Sequence, residues 1–138
     1  MKVVIDTNVM VSGLLAPFGP AGEVVRMLSA GLLSLCYDAR ILAEYAEVLL
    51  RPRFPFTRNL VEDLLAQVRA SGSIVAATPL RLRLPDPDDE MFLQVARSGH
   101  AECLITGNLK HYPHGKRQGV TVVTPGEFLH LYRKRRDR

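Results

Sequence analysis

Apolar positions along this chain fall into short continuous runs, separated by stretches with helical spacing. Lys2-Val-Val-Ile5 is a β-branched run that stops at Asp6 and reads as a buried strand. Leu32–Tyr37, Ser73–Ala77, Cys103–Thr106 and Val120–Val123 read as four more strands. Between them the spacing predicts helices over Ala21–Ala30, stopped by Gly31, and Ala39–Leu50, capped by Asp38 and ended by Pro52. A further helix runs from its cap Asn59 to near Ala70, and another from Asp88 to near Ser98, stopped by Gly99. Thr124-Pro-Gly-Glu127 spells a capping box with proline at the first helical position, opening a last helix to near Arg133. Gly13, Pro17, Gly19 and Pro20 mark a loop, residues 51–58 are irregular, and Gly107–Gly119 form a second loop.

Strands that are apolar throughout and alternate with helices imply a parallel sheet covered on both faces. The expected fold is α/β, a three-layer α/β/α sandwich with a central parallel sheet. Residues 1–132 form one domain and 133–138 a basic C-terminal tail. In such sheets chemistry collects where strands end at the carboxyl edge. That gives weight to Asp6, Asp38, Thr106 to Asn108 and Thr124.

Composition changes this picture only by exclusion. With 138 residues, 47% hydrophobic and 23% charged, the chain buries a core without disulfide or zinc support. Cys36 and Cys103 are its two cysteines and form no CxxC, so they read as reduced core thiols of a cytoplasmic protein. No apolar run approaches the ~18 residues of a membrane span, and no signal peptide is expected. The formal net charge is +4. Five of the 18 bases and one of the 14 acids lie in Arg133–Arg138, leaving 13 of each sign in residues 1–132. The basic character therefore belongs to the tail, through Arg133, Lys134, Arg135 and Arg136, which suit either solvation or nucleic-acid contact.

The acids carry the candidate chemistry. Asp6 follows a strand directly and either caps the next turn or serves as a metal ligand or general base. In the helix after Asp38, Ile41, Leu42, Tyr45, Val48 and Leu49 form the apolar stripe. Glu47 lies about 160° from its centre and can pair with Arg51. Glu44 lies about 100° away, at the border of the packed face, where it either pairs with Arg40 or joins a site. In the helix after Asp88, Phe92, Leu93 and Ala96 form the stripe, and Asp89 falls in line with it. A buried acid at a helix start needs compensation, from capping and the helix dipole or from a cation shared with Asp6 and Glu44. Hard oxygen ligands on several segments suit Mg²⁺ or Mn²⁺. Thr106 and Asn108 bring a hydroxyl and a neutral amide to the same edge. Phe54 and Phe56 with Arg51, Arg53 and Arg58 either pack an irregular loop or grip a nucleic-acid strand. His100, His111, His114 and His130 have no metal-site spacing, and no G-x-S-x-G, G-x-G-x-x-G or Walker loop occurs.

VIDTNV, LAEY, DPDDEMFLQVA and LITGN, in that order over nearly the whole chain, resemble PIN-domain ribonucleases. With EVLLRPRF, they are most similar to the toxin branch related to VapC-like toxins of toxin–antitoxin pairs. The resemblance implies a Mg²⁺- or Mn²⁺-dependent endoribonuclease that cuts single-stranded RNA, leaving 3′-hydroxyl and 5′-phosphate ends. It assigns Asp6, Glu44 and Asp89 as metal ligands and Asn8 as a supporting water holder. The family's fourth acidic position falls on Asn108, which puts a second metal ion in question. His111 stands where related toxins often place an acid. The resemblance also implies a small antitoxin partner and a homodimer.

Three rivals differ in what they require. A haloacid-dehalogenase phosphatase needs D-x-D where this chain has Asp6-Thr7-Asn8. A receiver domain needs an acidic pair after its first strand. A degenerate PIN domain that binds RNA or a protein without cutting is the remaining alternative, with Asn108 in its favour and the acid triad against it.

Overall fold

A computed structural model describes residues 1–137. Its elements are β1 (Lys2–Ile5), α1 (Thr7–Leu15), α2 (Pro20–Ser29), β2 (Ser34–Tyr37), α3 (Ala39–Leu49), α4 (Arg58–Ser71), β3 (Ser73–Ile74), α5 (Glu90–Ser98), β4 (Cys103–Ile105), β5 (Val122–Val123) and α6 (Pro125–Arg136). Short 3-10 turns cover Pro87–Asp89, Leu109–His111 and His114–Lys116. The five strands are all parallel, in the order β3-β2-β1-β4-β5, with helices on both faces. This is the expected three-layer α/β/α sandwich.

The strand order reverses between β1 and β4, which pair Ile5 with Ile105. Residues leaving these two strands at the carboxyl edge are therefore neighbours: the Asp6 N–H donates to the Ile105 carbonyl at 2.9 Å. A crevice at such a reversal is where open α/β sheets place their ligands. The strands bury Val3, Val4, Ile5, Leu35, Cys36, Leu104 and Ile105 completely, as the uninterrupted apolar runs require. On α5, Phe92, Leu93, Val95 and Ala96 are buried, and the Phe92 ring stacks on Tyr45 of α3 at 6.5 Å between centroids.

Helix α1 continues through Gly13 to Leu15, where the sequence predicts the start of a loop, and Gly13 explains why. A Cβ at Gly13 would lie 2.5 Å from Val25 Cγ2 and 2.6 Å from the Ala21 carbonyl. This glycine permits close approach of α1 and α2; it does not break the helix. Helix α4 is capped by Thr57, whose hydroxyl accepts from Leu60 N–H, and not by Asn59. The third strand shrinks to Ser73–Ile74 because it is an edge strand paired to β2 alone.

The capping box at Thr124 and Glu127 forms as the sequence predicts. The helix it opens does not stop near Arg133 but continues through Arg136, so most of the basic tail is helix; Arg138 lies outside the described residues. Arg133 pairs with Glu23 of α2 at 3.1 Å, and Arg135 pairs with Glu102 just before β4. Arg135, Arg136 and Tyr132 surround a cavity with Met1 and Glu102. Both Met1 and Glu102 precede strands, which puts the basic turn at the amino edge of the sheet, opposite Asp6. Among the described residues no helix is long and apolar enough to cross a membrane.

Candidate active site

Three acids from three elements lie near the crevice, within reach of one another's charge. Asp6 links β1 to α1 and is 5% exposed. It stands at the N-cap of α1 but makes no capping hydrogen bond with its side chain. Its Oδ2 accepts instead from the Thr106 hydroxyl at 3.0 Å and from the Tyr112 hydroxyl at 2.9 Å. Burial raises its pKa; Tyr112, Thr106, the nearby Asn8 N–H, too poorly aligned for a full capping bond, and the charge of His111 pull it partly back.

Glu44 comes from the border of the packed face of α3, whose Ile41, Tyr45 and Leu49 are buried. Arg40 does not pair with it, because Arg40 binds Asp38 at 2.7 Å. Glu44 Oε2 accepts from the Thr7 hydroxyl at 2.5 Å. Its pKa is raised mainly by burial, then by the charges of Asp6 and Asp88, against the Thr7 hydrogen bond. Glu47 pairs outward with Arg51 at 2.8 Å, as its helical position predicts.

Asp89 opens α5 on the buried side of the helix and is 8% exposed. It makes no capping bond; Asp86, not Asp88, caps the preceding turn by accepting from the Asp88 N–H at 2.9 Å. Asp89 Oδ2 is buried without a hydrogen bond among the described residues. His111 Nδ1 lies 3.1 Å from that oxygen but is not aligned to donate to it. The Asp89 pKa is raised to about 6, first by burial and then by the charge of Asp6, with Asp86 and Glu44 adding and His111 opposing.

The remaining predicted residues separate into two groups. Asn8 Oδ1 accepts from the Gly107 N–H at 2.9 Å and clasps α1 to the loop after β4. Thr106 is fully buried and touches Asp6. Asn108 donates its N–H to Thr106 Oγ1 at 3.1 Å, while its own Oδ1 caps the following turn through Lys110 N–H at 3.2 Å. These three belong to the site's frame. Arg51 is held by Glu47, and Arg53 stacks over Phe54 at 4.8 Å in the loop between α3 and α4. Arg133, Lys134, Arg135 and Arg136 sit on α6 toward the opposite edge.

Sequence reasoning misses Thr7 and Tyr112. Asp6-Thr7-Asn8 has the composition of a turn, and only the place of Thr7 at the start of a helix aims it at α3. Tyr112 is 0% exposed within a polar loop, a lone aromatic flanked by His111 and Pro113. Such a residue has to bury its ring, and a buried phenol needs a hydrogen-bond acceptor; this is the available signal.

Do these groups fit a hard divalent cation? Among the described residues no three His, Cys, Asp or Glu side chains are drawn together at metal-ligand spacing. The donor chemistry nevertheless fits: Asp89 feels the charges of Asp6 and Glu44, and one of its oxygens is buried with no donor. A buried carboxylate oxygen that makes no hydrogen bond, with only the His111 ring beside it and two other acids near, is an environment a cation relieves. A cavity of about 360 Å³ opens beside Glu44, lined also by Arg40, Asp88, Met91 and Gln94.

Residues 2–110 match the PIN domain family, and the chain belongs to it. Among solved structures it is similar to VapBC2 from Rickettsia felis, determined bound to a DNA fragment from their promoter. That similarity has a TM-score of 0.58 and 16% identity, over 90% of this chain and 98% of the other. No curated protein matches. The family match covers Asp6, Glu44, Asp89 and Asn108 and ends before Tyr112.

Proposed function

We propose that this chain is a Mg²⁺- or Mn²⁺-dependent endoribonuclease that cuts single-stranded RNA, acting as the toxin of a toxin–antitoxin pair. The observation that carries the reading is Asp89 Oδ2, buried and without a hydrogen bond within the field of Asp6 and Glu44. Membership of the PIN domain family and the likeness to VapBC2 support the nuclease and toxin parts.

Asp6, Glu44 and Asp89 would hold the cation, which when bound supplies an acidified water and charge to offset the scissile phosphate. The chain's own groups prepare the site. Thr106 and Tyr112 hold Asp6 through Oδ2 and favour its ionised form. Thr7 fixes Glu44 through Oε2, and the other oxygen makes no hydrogen bond among the described residues. Asn8 ties the Asp6 turn to Gly107, so the two strand ends move as one. The cavity beside Glu44, with Arg40 and Asp88 at its wall, supports this reading as a space an RNA segment would use.

The test is cleavage of an end-labelled single-stranded RNA. Cutting is expected with Mg²⁺ or Mn²⁺, to stop with EDTA, and to fall at least a hundredfold in Asp89→Asn. Undiminished cutting in EDTA or in Asp89→Asn would overturn the reading. RNA binding without any cutting would favour the non-catalytic alternative.

A further inference from the structure

We propose that Tyr112 is a positioning residue for the metal site: its hydroxyl, with that of Thr106, commits Asp6 Oδ2 and so fixes the carboxylate that would help hold the cation. The assignment rests on the metal-site reading above and deepens it. Both side-chain donors to Asp6 fall on the same oxygen, at 2.9 Å and 3.0 Å. Neither Asp6 oxygen has any other side-chain partner among the described residues.

The geometry makes this more than packing. Asp6 and Tyr112 are 106 positions apart, and Tyr112 is completely buried although it lies in a loop of polar residues. The Tyr112 carbonyl accepts from Arg117 Nε at 2.8 Å, and its N–H donates to the Leu109 carbonyl at 3.0 Å. The backbone is therefore held at both polar groups of Tyr112, and burial confines the ring. Two fixed donors on one oxygen lock the carboxylate plane. A locked carboxylate meets an ion without losing side-chain freedom at the moment of binding. The preceding residue, His111, approaches Asp89 Oδ2 at 3.1 Å, so one short turn reaches two of the three acids.

Tyr45 supplies an internal control. It too is fully buried, and its hydroxyl donates to the Ile5 carbonyl, a backbone group next to Asp6. Removing either hydroxyl deletes one buried hydrogen bond, but only Tyr112 touches the carboxylate.

The experiment is calorimetric titration of the full, RNA-free chain with Mn²⁺, for wild type, Tyr112→Phe and Tyr45→Phe, with melting curves on each. Tyr112→Phe is expected to weaken Mn²⁺ binding about tenfold or more. Tyr45→Phe is expected to lower the melting temperature while binding Mn²⁺ like wild type. Equal Mn²⁺ affinity in wild type and a folded Tyr112→Phe overturns the assignment and leaves the metal site standing. An equal loss in both variants overturns it too, because loosening alone then suffices. A wild-type chain that binds no Mn²⁺ overturns the metal site and the Tyr112 assignment together. Should Tyr112→Phe not fold, wild type carrying ¹³C at tyrosine Cζ decides: Mg²⁺ should move the Tyr112 resonance and leave Tyr37 and Tyr132 in place. An unmoved Tyr112 resonance overturns the proposal.

Discussion

The first residue of α1 holds the acid of α3: the Thr7 hydroxyl donates to Glu44 Oε2 at 2.5 Å, across 37 positions. This bond turns Glu44 away from its helix neighbours and toward Asp6. Arg40 pairs separately with Asp38 at the helix start. Thr7→Val keeps the shape and removes the donor. It is expected to cost about 1 kcal/mol of stability and to weaken Mn²⁺ binding several-fold, while Thr7→Ser retains both. Calorimetry and melting curves on the two variants check this. Equal affinity in wild type and the valine variant would mean that Glu44 needs no orientation.

Asp89 costs the metal-free fold stability. Its carboxylate is buried beside two other acids, so at neutral pH its charge is repelled and poorly solvated. Asp89→Asn removes that charge while keeping the shape. Without metal, the variant is expected to melt higher than wild type at pH 7, by about 3 °C for each kcal/mol gained. It should also lose most Mn²⁺ affinity. Asp88→Asn, at the exposed neighbour, should change neither. An Asp89→Asn chain that is less stable than wild type without metal would count against the repulsion.

The same charge sets a pH dependence. Asp89 goes from an ordinary value of 3.8 to about 6 on folding, so the folded chain holds the proton more tightly than the unfolded one. That contribution is fully present below 3.8 and is lost as pH rises through about 6. Asp6 and Glu44 are raised as well and act in the same sense. The metal-free melting temperature should therefore rise on acidification from pH 7 toward pH 5. Under saturating Mg²⁺ the trend should reverse, because protons then compete with the ion. Differential scanning calorimetry at several pH values distinguishes the two cases. A metal-free melting temperature that falls over this window would contradict the raised carboxylates.

Much of this site is legible in the sequence because it depends on periodicity and strand ends. Asp6 follows an unbroken apolar run, and such runs end at the sheet edge where chemistry collects. Asp89 falls in line with Phe92, Leu93 and Ala96, and that spacing alone puts an acid on a buried face. What stays hidden depends on contacts between distant segments. Gly13 has the signature of a helix breaker, yet it serves close contact between α1 and α2, which no local rule shows. The Thr7–Glu44 and Tyr112–Asp6 bonds span 37 and 106 positions, beyond any repeat that a sequence displays. The basic end misleads for a related reason. Its charge density suggests a free tail, but Glu23 and Glu102 hold two of its arginines against the body as helix.

The basic turn lies at the amino edge, away from the acids, so under the proposed function it would grip RNA apart from the cutting site. Helix α6 has 12 residues, about 18 Å, and it starts near the carboxyl edge and ends beside Glu102. Lys134→Gln with Arg136→Gln leaves the pairs of Arg133 and Arg135 intact. For a short RNA that fills only the acid site, affinity and salt dependence should not change. For a long single strand, the slope of log affinity against log salt should drop by about 0.7 for each phosphate that the variant no longer neutralises. Filter binding at several salt concentrations measures both. An equal change for short and long RNA would place the basic turn beside the acids, against the topology.

Asn108 tests how far the acidic set can be extended. Its Oδ1 caps the turn at Leu109–His111, and its N–H donates to the Thr106 hydroxyl that itself binds Asp6. An aspartate accepts the same capping bond, so Asn108→Asp should fold with an unchanged melting temperature in the presence of Mn²⁺. Without metal it adds a fourth negative charge two residues from Thr106, and stability should fall. The added charge offsets dehydration of a hard cation, which a neutral amide does less well. Mn²⁺ should therefore bind the variant more tightly in the absence of RNA, and cleavage at low metal concentration should rise. Titration of both proteins by calorimetry, with melting curves with and without Mn²⁺, reads the binding and stability effects, and an RNA cleavage assay reads the rate. If the variant loses stability without metal and gains no affinity, the side chain at 108 points its charge away from the cation, and capping is its whole role.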